Sequence, residues 1–487
     1  MNFNVSNEIR KVADELAAKG FKVYLVRGCV RDLLLGREPK DWDIATDAKP
    51  EEIQGIFQNS VYENTFGTVG VKTDSEDERL RVIEITTFRK EGGYTDKRHP
   101  DFVSFADKIE DDLGRRDFTV NAMALDITKL KTGITDPFGG RNDLEKKLIR
   151  AVDEPKERFQ EDALRLVRAV RFASELGFEI EPKTSEAISS EAGLLEMIAK
   201  ERIRDEFIKI IMTAKAKEGI QTLENTGLLR FILPELREGI ACGQNKHHIY
   251  SVWEHNLRAL DYAVKKEYSL TVRLASLFHD IGKPKTKRGE GASSTFYNHE
   301  MVGARMTAAL MDRLKFSKEI TEKAVHLVRC HLFYYNVGEV SPAGVRRFLS
   351  RVGPENVDDL IKVREADRIG SGVPKAVPYK LRHLFFMIEK VKRDPVSPKM
   401  LAIKGDEVMA ILGIPPGPKV GLILGILLDA VLEDPAINTK ETLEKRTREL
   451  GVFSDKELTE MALNAKNRKE EFERDAEDEI KARHKVK

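Results

Sequence analysis

The chain has 487 residues, 41% of them hydrophobic, enough for several cores and a length that suggests about three domains or more. Its 82 Lys+Arg balance 81 Asp+Glu to a formal net charge of +1, so no global basic field marks a nucleic-acid binder and any such surface must be local. Three distant cysteines (Cys29, Cys242, Cys330) fit no disulfide framework or zinc knuckle, no secretory leader is recognisable, and the apolar run 421–432 is too short for a bilayer; a cytoplasmic protein without membrane attachment is expected.

Residues 5–19 carry the apolar period of an amphipathic helix, and strands are predicted at 21–27, 41–46, 69–73, 80–87 and 121–127, so residues 1–150 read as α/β. The first strand runs into a tight turn at Gly28, a helix follows with Arg31 and Asp32 in its first turn, and Gly36 ends it. The second strand opens with Asp41 and Asp43, and side chains two apart on a strand share a face. Two carboxylates beside a glycine turn that feeds a helix start make a place for a metal-bound triphosphate. Magnesium takes carboxylate and phosphate oxygens, a pair of ions can clamp attacking and leaving oxygens, and the helix start offers free N–H groups to phosphates. An isolated Asp-x-Asp is commonly a solvated strand end; the ordered series carries the reading.

The segment 91–104 is polar, bears two glycines and reads as a mobile loop. From about residue 153 the pattern turns helical, with stretches near 159–176, 183–191, 200–214 and 217–226. On the helix predicted at 159–176, Asp162 and Arg165 are three apart and share a face next to Glu161. An acceptor beside donors suits cytosine and adenine, which both show an amino group next to an unprotonated ring nitrogen. Uracil and guanine would meet both groups with the wrong polarity. A solvated i, i+3 salt bridge is the plain alternative. Pro234 and the glycines at 239–243 mark a junction, seven of the ten histidines fall within 247–331, and 370–378 reads as a linker. A last helical section spans 379–450, and the charged tail 451–487 reads as a long exposed helix or frayed end. The division is 1–150, 151–240, 245–370 and 379–487.

Further segments join the first in a fixed order: Glu84-Ile-Thr-Thr-Phe-Arg89, Arg115-Arg-Asp-Phe-Thr-Val-Asn-Ala122, Asp136-Pro-Phe-Gly-Gly-Arg-Asn-Asp-Leu144, Arg158-Phe-Gln-Glu-Asp-Ala-Leu-Arg165 with Arg168 and Arg171, and Glu201-Arg-Ile-Arg-Asp-Glu-Phe207. Over residues 20–230 the chain resembles the class II tRNA nucleotidyltransferases, the family of CCA-adding enzymes and bacterial poly(A) polymerases. The resemblance implies an α/β nucleotidyltransferase head with a small mixed sheet, an all-α neck, and helical regions beyond. It implies Asp41 and Asp43 as catalytic ligands of Mg2+, Gly28 and Arg31 as phosphate contacts, and Arg116, Asp117 and Asn121 at the nucleotide sugar and phosphates, with Asp117 accepting from a ribose hydroxyl. Glu161, Asp162, Arg165 and Arg168 would read the base. Glu84 is either an auxiliary acid or a partner of Arg81 or Arg89; Arg31 has Asp32 as an alternative partner, and the Arg-Arg-Asp cluster could instead pin the last strand. One departure stands out: the family carries Gly-Gly at the first turn, where this chain has Arg27-Gly28.

The segments Val252-Trp-Glu-His255, Leu277-Phe-His279-Asp280-Ile-Gly-Lys-Pro284, Asn298-His299-Glu, Cys330-His331 and Arg364-Glu-Ala-Asp367 resemble the HD superfamily. His255, His279, Asp280, His299, His331 and Asp367 would then hold a transition metal (Mn, Ni, Fe or Zn), for which imidazole and carboxylate are suitable ligands. His247, His248 and His326 would lie outside the ligand set. Near the C-terminus, residues 405–421 read as helix, turn, helix, and Lys419 with the backbone at 417–421 could hold an RNA phosphate, a plain hairpin being the alternative. The expected activity is addition of CMP and AMP to tRNA from CTP and ATP, with HD phosphohydrolysis of RNA 3′ ends as a second activity. The rivals are a poly(A) polymerase or A-adding specialist, a metal phosphohydrolase with an RNA-binding head, and a non-catalytic RNA-binding module. The sequence leaves the oligomeric state open.

Overall fold

The computed structural model describes residues 3–64, 67–94, 101–130, 133–244, 249–391 and 394–463. The N-terminal part runs α1 (Asn7–Ala18), β1 (Val23–Val26), α2 (Gly28–Leu34), β2 (Asp43–Thr46), α3 (Pro50–Ile56), β3 (Ser60–Asn64), β4 (Thr68–Lys72), β5 (Val82–Thr87), β6 (Arg89–Gly92), β7 (Phe102–Phe105), α4 (Ile109–Gly114), β8 (Ala124–Asp126), β9 (Ile134–Thr135), α5 (Gly140–Lys146) and β10 (Leu148–Ile149). One seven-stranded sheet forms in the order β3-β4-β5-β2-β1-β8-β9, with β2 and β5 parallel and every other pair antiparallel. Alternation along the strands builds two cores. Val23, Leu25 and Ile44 pack on the larger cluster, while Val26, Ala45 and Ala124 pack on a second one with Phe88 and Leu113. Ile9, Val12, Ala13 and Leu16 recur at helical spacing on α1 and are buried, and Ser6 caps that helix by accepting the Ile9 N–H.

The expected strands are all present; that at 69–73 is shifted by one residue and the other four are shorter. Asp41 precedes β2 instead of opening it, and Asn121 sits in a 3-10 turn ahead of β8. β3 and β9 were not anticipated. Nor was the β6–β7 hairpin, which orders the ends of the segment read as a loop; residues 95–100 at its tip lie outside the described residues.

Helices follow: α6 (Pro155–Glu161), α7 (Leu164–Leu176), then the short strand β11 (Glu179–Ile180), α8 (Pro182–Glu191), α9 (Lys200–Met212), α10 (Ala216–Asn225), α11 (Leu229–Ile232) and α12 (Pro234–Arg237). The single helix expected at 159–176 is two. Asp162 adopts φ −132°, ψ 102°, and its Oδ1 accepts the Leu164 N–H at 3.1 Å, so the aspartate ends one helix and holds the first N–H of the next. Asp162 and Arg165 therefore do not share one continuous helix face.

The third part comprises α13 (Val252–Lys265), α14 (Leu270–Phe278), α15 (Lys283–Thr286), α16 (His299–Arg313), α17 (Lys318–Cys330), α18 (Pro342–Val352) and α19 (Val357–Gly370). Two arginines tie it to the helices before it. Arg273 donates to the Ile211 carbonyl at 3.0 Å; Arg313 donates to the Ile232 carbonyl at 3.0 Å and to Glu235 at 2.8 Å. The last part holds α20 (Tyr379–Val391), α21 (Gly405–Leu412), α22 (Pro418–Glu433) and α23 (Lys440–Gly451), with residues 455–463 also helical. The tail beyond 463 lies outside the described residues. Gly413 ends α21 at φ 61°, the left-handed conformation a glycine adopts without steric cost. The half-buried Lys419 is engaged within the fold: its Nζ donates to the carbonyls of Gly451 at 3.0 Å and Phe453 at 2.8 Å, capping α23. No helix among the described residues is long and apolar enough to cross a membrane.

Candidate active site

The antiparallel step from β1 to β2 sets Val26 opposite Asp43, and the parallel step from β2 to β5 sets Asp43 opposite Glu84. The start of α2 and both aspartates thereby meet at one end of the sheet. Asp41 and Asp43 line a cleft of about 690 Å³ together with Gly28, Arg31 and Arg27. Arg27 Nη1 donates to Asp43 Oδ1 at 2.9 Å and lies 3.9 Å from Glu84 Oε2. Arg81 pairs with Glu78 and Arg89 with Glu91, and Arg27, which the sequence suggests could narrow the approach to a triphosphate or add a phosphate contact, is a cation beside Glu84. Carboxylates open to a cleft, one of them already holding a guanidinium, are a donor set that suits a hard divalent cation.

The opposite wall comes from the turn before β8, from the break between α6 and α7, and from α7. Arg116, Asp117, Asn121, Asp162, Arg165 and Arg168 all line the same cleft. Arg31 is buried; it donates to Asp32 at 2.9 Å and to Asn121 Oδ1 at 2.9 Å, so it braces the turn as well as facing the cleft. Asp117 receives four donors: the Phe118 N–H, the Asn121 amide and two from Arg168. That fills a carboxylate's acceptor sites, so a ribose hydroxyl would have to displace one of them. Burial pushes the Asp117 carboxyl up, but the Arg168 guanidinium overcomes this and brings it down to about 2.

Arg165 donates to Glu161 at 2.7 Å and to the carbonyls of Arg158 at 3.1 Å and Arg115 at 2.9 Å. Three of its five N–H groups are thus engaged, which fixes its plane and leaves two for a ligand. Glu161 also takes Arg158. Asp162 Oδ2 is 3.4 Å from Arg202, a partner the sequence reading did not single out, although it lies in the quoted segment 201–207. Two further residues went unremarked. Asp112 is buried and accepts both Arg115 and Arg116, and these ion pairs hold its carboxyl well below its usual range despite burial. The Phe172 ring carries Arg171 at 3.8 Å, Arg168 at 5.3 Å and Arg31 at 5.6 Å from its centroid.

A second centre lies in the third part. His255, His279 and Asp367 offer ligand atoms within 4.8 Å of one another, and so do Asp280, His299 and His331; all six residues are buried. His255 and His279 bring their Nε2 atoms to 2.8 Å, and His255 Nε2 is 3.1 Å from Asp280 and 3.3 Å from Asp367. Burial pushes both carboxyls up, yet Lys283 beside Asp280 and Arg364 beside Asp367 hold them well below the usual range, so both stay anionic in the interior. Imidazole nitrogens converging on buried anions fit a transition-metal centre. His326, by contrast, is spent on the Val352 carbonyl at 2.6 Å; His247 and His248 lie outside the described residues.

Comparison with known proteins matches three family models: the poly A polymerase head domain over residues 23–150, a probable RNA and SrmB-binding site of polymerase A over 177–240, and the HD domain over 252–370. An A-adding tRNA nucleotidyltransferase of Deinococcus radiodurans is 35% identical over 83% of this chain and 90% of its own length. A CC-adding tRNA nucleotidyltransferase of Thermus thermophilus is 33% identical over 85% and 91%, and a CCA-adding enzyme of Enterococcus faecalis 32% identical over 90% and 95%. Among solved structures, the Bacillus stearothermophilus CCA-adding enzyme in complex with CTP superposes with a TM-score of 0.65 at 28% identity, covering 91% of this chain and 98% of that one. The chain is a nucleotidyltransferase and belongs to the class II tRNA nucleotidyltransferase family, with an HD domain.

Proposed function

We propose that the protein completes the 3′ end of tRNA, adding CMP from CTP and AMP from ATP. The observation that carries this reading is the single cleft shared by the Asp41–Asp43 pair and the Asp162–Arg165 pair. Two bound Mg2+ ions, held by Asp41 and Asp43, would supply charge stabilisation at the α-phosphate and an activated terminal hydroxyl. Gly28 and Arg31 contact the phosphates, while Arg116, Asp117 and Asn121 flank the sugar. Asp162 accepts from the exocyclic amino group of C or A, and the remaining N–H groups of Arg165 donate to the ring nitrogen. Glu161 and the Arg115 carbonyl keep that guanidinium from turning to suit uracil or guanine. A base contact of this kind discriminates by about 1–3 kcal/mol.

The test is incubation of the chain with tRNA lacking its last three nucleotides, supplied with CTP and ATP separately and together. Two CMP and then one AMP support the reading. Long tails from ATP alone, with CTP ignored, support a poly(A) polymerase; AMP addition only to tRNA ending in CC supports an A-adding specialist.

The convergent ligands of the HD domain favour a second activity. With a transition metal bound, that centre hydrolyses phosphate esters at RNA 3′ ends, such as a 2′,3′-cyclic phosphate. Inertness on cyclic and monoester substrates with every divalent metal tried removes this part alone. The four-part division at 150, 240 and 370, and a cytoplasmic place of work, go with the reading.

A further inference from the structure

The catalytic end of the sheet contains a cation supplied by the chain itself. Arg27 Nη1 is 2.9 Å from Asp43 Oδ1 and 3.9 Å from Glu84 Oε2, and the strand register that aligns Val26, Asp43 and Glu84 places the guanidinium between the two acids. The backbone that puts it there is unusual. Arg27 has φ 63°, ψ −139°, outside the left-handed helical region that Lys147 and Asn298 occupy, in territory that only glycine enters freely. A glycine there would meet no such strain, so the arginine persists against its own backbone preference. Its side chain is 38% exposed and lines the cleft.

We propose that Arg27 is a resident counter-ion of the catalytic carboxylates: it holds Asp43 until a divalent metal displaces it, so it sets the metal demand of the site, and once displaced it turns to the incoming triphosphate. A guanidinium and a divalent ion repel each other at the separations one carboxylate imposes, so occupancy by one opposes the other. The displaced group remains tethered to the turn before Gly28, and its planar fork suits phosphate oxygens. The inference rests on the assignment of Asp41 and Asp43 as the metal pair.

The experiment is Mn2+ binding to the nucleotide-free full chain, followed by the EPR signal of the free ion, for the wild type, Arg27→Gly, Arg27→Gln and Asp43→Ala. Sites lost in Asp43→Ala identify the head centre and separate it from the HD centre. The proposal expects both Arg27 variants to bind Mn2+ at that centre about tenfold more tightly, the size of effect expected from removing one nearby positive charge. It also expects the Mg2+ concentration for half-maximal nucleotidyl transfer to fall in parallel and the KM for CTP to rise. Unchanged Mn2+ affinity in both variants overturns it. Tighter binding in Arg27→Gly alone overturns it too, since glycine also relieves the backbone while glutamine removes only the charge. Retention of every Mn2+ site in Asp43→Ala refutes the metal assignment itself, a separate failure.

Discussion

Asp117 illustrates how one buried carboxylate sets the geometry of a ligand site. It holds Arg168 and Asn121 in place, and the guanidinium overcomes the effect of burial to bring its pKa from an ordinary 3.8 down to about 2. A depressed carboxyl contributes stability that is present above its unfolded value and lost as pH falls through the folded one. The difference amounts to about 2 kcal/mol at neutral pH. Asp117→Asn should therefore lower stability by about that amount at pH 7, and the gap to the wild type should close between pH 4 and 2, measured by denaturant melts across that range. Selectivity belongs to the same scale. Asp162→Ala and Arg165→Ala should each cut the preference for CTP and ATP over UTP and GTP by about 10–100-fold in kcat/KM, the equivalent of one lost bidentate base contact. These residue types and their order were legible in the sequence. Their supports were not: Asp112, Arg202 and Phe172 act through space, and nothing in linear spacing reveals which arginine faces which acid.

At the level of elements, periodicity located the helices well and failed where a side chain rewrote the backbone. The apolar pattern of 159–176 is continuous, yet Asp162 accepts the Leu164 N–H and breaks the helix, because a short polar side chain competes with the helical ladder. The β6–β7 hairpin escaped notice because Gly92, Gly93 and the surrounding charges look like a loop. Its pairing is supported by a tertiary contact, Glu91 accepting Arg115 at 3.0 Å, beside the local pair of Glu91 with Arg89 at 2.8 Å. Arg115 in turn offers its carbonyl to Arg165, so the hairpin stands one residue away from the group assigned to base reading. Lys419 teaches the opposite lesson, a residue that looked ligand-binding and is structural. Lys419→Met should destabilise the C-terminal helices by about 1–2 kcal/mol through two carbonyls left without their donor. It should leave the salt dependence of tRNA binding unchanged, because no phosphate contact is lost. Calorimetry and a binding series in increasing salt check the two halves.

Across the whole molecule, the head cleft and the HD centre draw on different ligands from different parts of the chain. Asp280→Ala should remove metal from the second centre and abolish any phosphoesterase activity while nucleotide addition proceeds at more than half its rate. Metal analysis of the purified variant and paired assays check this. Stripping the metal with a chelator should also lower the melting temperature, since a ligand that binds only the folded state stabilises it. Physical joining is another matter. Arg273 and Arg313 reach out of the HD bundle to the backbone of α9 and α11, and Arg313 also takes Glu235. Severing the polypeptide near residue 240 would strand both guanidinium groups at a raw face, with their acceptors on the discarded fragment. The bundle can be transplanted, by recombination or by an engineer, only if the helices from α9 to α12 travel with it.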